Sequence, residues 1–104
     1  MGQERQQIGS VIEELQDTLE LFYQQKEKEA LDSFGALIDR LMEAMNTLFS
    51  YKKEHEDFEV DERKLTTSLK DALAAMEEKD YILLADILQY DFLEYMQELV
   101  GQLS

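Results

Sequence analysis

His55 is the only histidine of the chain, and there is no cysteine. Nucleophilic or general acid–base work would need His55 beside a serine, aspartate or cysteine held there by spacing, and none is so placed. His55 lies instead in the acidic run KKEHEDFEVDE, residues 52–62, and is expected to be a solvated loop histidine. A phosphotransfer bundle would carry its histidine in mid-helix, which this chain does not. Asp57, Glu59 and Asp61 alternate as the acids of a calcium loop do. Glu62 then stands where that loop needs glycine, and Ser68 where it needs a bidentate glutamate. Carboxylate-bridged metals in helical bundles use Glu-x-x-His on two helices, and no such pair occurs. No catalytic residue, metal site or cofactor is expected, and the chain reads as non-enzymatic.

The elements around these residues are helical. The chain has 104 residues, 44% of them hydrophobic, which is enough for one domain with a modest core. It contains no proline and only four glycines, whereas a turn-rich β fold would need both. The N-terminal MGQERQQIGS lacks a long apolar core. Its Gly2 would suit acylation, but Gln6 stands where that motif needs Ser or Thr. No run approaches a membrane span, so a cytoplasmic protein is expected.

Apolar residues recur three and four apart almost throughout. Ile8, Val11, Ile12, Leu15, Leu19 and Phe22 form a first stripe. Ser10 and Glu13 fit a capping box, so that helix is expected to start there or a turn earlier. The polar residues 23–30 interrupt the pattern and displace its phase, which indicates a turn. Leu31, Phe34, Ile38, Leu41, Met42, Met45, Leu48 and Phe49 then form a second stripe.

Residues 52–62 read as a loop, with Phe58 folding back over the bundle end. Asp61 is placed to cap a third helix with the stripe Leu65, Leu69, Ala72, Leu73 and Met76, and Asp80 to cap a fourth. Four such helices with short connections are expected to form an all-α, antiparallel up-down-up-down four-helix bundle.

The last quarter carries more apolar surface than one buried face needs. Tyr81, Leu84, Ala85, Leu88, Phe92, Tyr95, Met96 and Leu99 share one face, while Leu83, Ile87 and Tyr90 fall nearly opposite. Ile82 and Leu93 lie along an edge between them, and Leu93 is grouped with the second row. Leu83, Ile87, Tyr90 and Leu93 are therefore the candidate interface. The row could pair with a second copy around a two-fold axis or receive a helix of another protein. It could otherwise be covered if the third and fourth helices formed one rod of about 60 Å, at ~1.5 Å per residue.

Net charge is −14. That field repels phosphate backbones and anionic lipid, so neither nucleic acid nor membrane is expected as a partner. The charged residues of 6–25 and of 81–104 are all acidic, so the first and last helices should share an acidic ridge that favours a basic partner. In size, charge and architecture the chain resembles the small export chaperones and adaptors of bacteria, including flagellar ones. That likeness implies a helical partner segment. A small-molecule or metal-binding bundle is the reading from another class, and it would need a polar cluster between the helices.

Overall fold

The computed structural model describes residues 2–103. The chain forms α1 (Gly2–Tyr23), α2 (Glu27–Glu54), α3 (Glu62–Glu77) and a composite α4 spanning 81–101. Within α4, an α-helical start (Tyr81–Asp86) passes into a π-helical segment (Ile87–Leu93) and returns to α-helix (Glu94–Gly101).

The first stripe is buried as its spacing requires, from Ile8 through Phe22. The helix that carries it starts at Gly2, more than two turns ahead of Ser10. Residues 3–7 are good helix formers, and a longer helix satisfies the backbone that a cap at Ser10 would otherwise have to serve.

Both short turns end their helices in the same way. Lys26 N–H bonds to Leu21 C=O and Gln25 N–H to Phe22 C=O, with Gln25 in the left-handed region at φ 62°. Asp80 N–H bonds to Ala75 C=O and Lys79 N–H to Met76 C=O, with Lys79 at φ 61°. Each is a Schellman ending built without glycine. The second one breaks the chain between α3 and α4, so the continuous rod does not form. The longest dimension of the molecule is 40 Å, well short of that rod.

Contacts at the helix ends fix the directions. Phe22 meets Phe34 at 6.5 Å, and Glu14 pairs with Arg40, so α1 and α2 run antiparallel. Phe22 stacks on Tyr81, while Arg5 donates to Leu103 C=O at 3.5 Å, so α1 and α4 do too. Lys64 lies over the Tyr95 ring, and α3 returns along α4. Asp61 and Asp80 cap α3 and α4 as expected, accepting from Lys64 N–H at 3.1 Å and Leu83 N–H at 3.2 Å. Phe58 is buried edge-on to Tyr51 and closes the end of the bundle.

One side of the bundle is left open. α1 packs along α2 and α4, and α3 packs along α4, but α2 and α3 barely meet. The buried face of α2 consists of Ala30, Phe34, Leu37, Leu41, Ala44, Met45 and Leu48. Leu31, Ile38 and Phe49 are only partly buried, and Met42 is 51% exposed. The broad second stripe is thus two adjoining faces, one turned to α1 and one to the gap beside α3.

Candidate interaction site

The π-helical segment decides what α4 shows to solvent. Its N–H groups reach five residues back, as Glu94 does to Gln89 C=O. A turn that holds an extra residue slips the phase of the residues after it by roughly 100° relative to an α-helix. Leu93 is carried into the core beside Phe92 and is 1% exposed. Leu93 therefore leaves the candidate row: uniform 3.6-residue phase put it on the edge, and the π turn moves it inward. Leu83 is 45% exposed and Tyr90 62%, with Ile87 half-buried between them and Ile82 exposed alongside.

The α4 row is extended by α1. Tyr23 Oη donates to Asp86 Oδ1 at 2.8 Å. Burial of the side chain, then the bond to Asp86 and the negative charge of that carboxylate, push the Tyr23 phenol up to about 12. Asp91, Glu94 and Glu98 stand exposed further along α4, and Glu13, Asp17 and Glu20 along α1. Glu14 departs from that acidic ridge, since it turns to Arg40 on α2.

The gap between α2 and α3 is the larger apolar feature, and spacing alone did not single it out as a surface. It is a groove of about 540 Å³, floored by Met42, Met45 and Phe49 from α2 and Leu69, Leu73 and Ala74 from α3. Leu69 and Met45 were expected in the core and are buried there. Met42, Phe49 and Leu73 were expected in the core as well, yet they line the opening. The available signal was the width of the α2 stripe, in which Leu31, Gly35, Ile38, Met42, Met45 and Phe49 alternate four and three apart like a second helical seam. Asn46 and Thr66 lie on its rim, with Lys70 and Glu77 two turns apart on α3. Neither Lys70 nor Glu77 has an ion-pair partner among the described residues.

His55 is exposed, stacks on Tyr51 at 3.8 Å between centroids, and has its Nδ1 3.0 Å from Tyr51 C=O. Among the described residues, no group of three or more His, Asp or Glu is arranged to hold a metal. No helix of the described residues is long and apolar enough to cross a membrane.

An all-α four-helix bundle with one uncovered apolar side defines the class of this protein. The chain belongs to the family described as a domain of unknown function, DUF8042, which matches residues 2–102. No curated protein and no solved structure matches it.

Proposed function

We propose that the protein is a non-enzymatic protein-interaction module of the cytoplasm that works as a homodimer. The observation that carries this reading is the open side of the bundle, where Met42, Phe49 and Leu73 line a groove that the chain itself does not fill. A small protein gains from covering such a surface, because each apolar side chain taken from water contributes about 1.5–3 kcal/mol when fully buried. Pairing with an identical surface is the commonest way to do so. Methionine suits the task, since its flexible thioether adapts to an incoming side chain.

Sedimentation over a concentration series tests the reading. A dimer is expected at micromolar to high-micromolar concentration, and a strictly monomeric protein at high micromolar concentration contradicts it.

The exposed row on α4 supports a second reading, an adaptor for another protein. Leu83, Ile87 and Tyr90 supply apolar contacts, and Asp86, Asp91 and Glu94 surround them with negative charge. A basic amphipathic helix is the complementary partner. Binding of such a peptide that survives Leu83→Glu would count against this second reading.

A further inference from the structure

We infer that the second copy sits in the α2–α3 groove across a two-fold axis passing beside Leu73 and Ala74, with Lys70 of each α3 paired to Glu77 of the other. This inference rests on the homodimer reading and gives it a register.

α3 turns one narrow face to the groove. Thr66, Lys70, Leu73 and Glu77 are spaced four, three and four apart, which places them on one line of the helix, and Ala74 adjoins it. Two α3 helices packed antiparallel around a two-fold oppose residue i to a residue whose number makes a constant sum with i. With the axis between Leu73 and Ala74, that sum is 147, from 73 and 74, and the same sum joins 70 to 77. One register therefore satisfies the apolar centre and both charges at once. Lys70 meets Glu77 of the partner subunit, and Glu77 meets the partner's Lys70.

Side-chain size agrees with that register. Ala74 is exposed and small, and it faces Leu73 across the axis, so the two helices can approach closely. Each α3 then lies in the groove of the other copy, against Met42 and Phe49 of α2. The barely touching α2 and α3 leave room for this insertion.

Other segments of a second copy fit less well. The α4 row has no basic residue to answer Glu77, because residues 81–104 contain only acids among their charges. The same holds for residues 6–25 of α1. Arg40 of α2 is engaged with Glu14. A protein of net charge −14 resists self-association over most of its surface. The α3 face is a place where a lysine and a glutamate stand at a separation that lets each copy answer the other.

Charge reversal tests the register without disturbing the fold, since Lys70 and Glu77 are exposed. Sedimentation equilibrium would be measured for Lys70→Glu, for Glu77→Lys, for an equimolar mixture of the two, and for the double variant. Each single variant places like charges together twice, so its dimer dissociation constant should rise about tenfold or more. The mixture should recover dimer as a heterodimer, because glutamate at 70 of one chain then meets lysine at 77 of the other, and the one remaining contact is the native pair of Lys70 with Glu77. The double variant should also recover it.

A dimer that forms in the unaltered protein but ignores all four changes overturns this register while leaving self-association in place. A dimer lost on Leu83→Glu and kept on Leu73→Glu overturns it too, in favour of the α4 row. An unaltered protein that stays monomeric overturns both the register and the homodimer. Circular dichroism melting of each variant separates loss of the dimer from loss of the fold.

Discussion

Tyr23 on α1 and Asp86 on α4 are joined by a hydrogen bond of 2.8 Å in which the phenol donates. The bond ties the C-terminal end of the first helix to the start of the last, where Phe22 already stacks on Tyr81. It also turns an acidic side chain toward a donor at the edge of the acidic ridge.

The Tyr23 phenol is expected to titrate near 12, above its ordinary value of 10.0. Between those values the unfolded chain releases the phenol proton and the folded chain keeps it. The unfolded state then binds fewer protons, so stability attached to this group is complete below pH 10 and falls as pH rises toward 12. Tyr23 is 42% exposed, so solvent screens the effect and its size in stability is small. Spectrophotometric titration of the phenols checks it: Asp86→Asn should bring one tyrosine back toward its ordinary value, and an unchanged curve would contradict the assignment.

The two left-handed residues are places where the fold works against its own side chains. Gln25 and Lys79 occupy positions that glycine adopts without steric cost. Gln25→Gly and Lys79→Gly are each expected to stabilise the protein by about 0.5–1 kcal/mol, after the entropy glycine adds to the unfolded chain. Urea unfolding should show a higher midpoint at unchanged slope. A lower midpoint for both would mean that these turns are not held in the left-handed region.

Much of this architecture was legible in the residues. The first stripe, the turn near residues 23–30, and the caps at Asp61 and Asp80 all come from local rules, and local rules govern them in the structure. Leu93 was not legible, because a π turn has no side-chain signature and a uniform phase left it on the edge, although the same phase put Phe92, Met96 and Leu99 in the core, where they are buried. Met42, Phe49 and Leu73 were misplaced for a different reason. Helical phase shows that a residue lies on a broad apolar face but not whether a neighbouring helix reaches it. Here α3 packs on α4 and stays apart from α2. The small core residues Ala30 and Ala44 went unnoticed beside larger neighbours, and Leu37 lay just off the chosen stripe.

Leu93 and Leu83 give a direct comparison of the two sides of α4. Leu93→Ala removes a side chain buried beside Phe92 and should cost about 2–5 kcal/mol. Leu83→Ala, at 45% exposure, should change stability by about 0.5 kcal/mol or less in the monomer. Denaturant unfolding at low protein concentration measures both. Similar costs for the two would contradict the inward placement of Leu93 by the π-helical segment.

The chain has no cysteine, so one introduced thiol reports on one contact. A disulfide between two copies needs their Cα atoms within about 7 Å, which a two-fold beside Leu73 and Ala74 provides at Ala74, whereas Leu83 does not line that groove. Ala74→Cys and Leu83→Cys proteins would be oxidised under the same mild conditions and run on a non-reducing gel. A covalent dimer is expected to form rapidly from Ala74→Cys while Leu83→Cys remains monomeric. Cross-linking at Leu83→Cys alone, or at neither position, would contradict it.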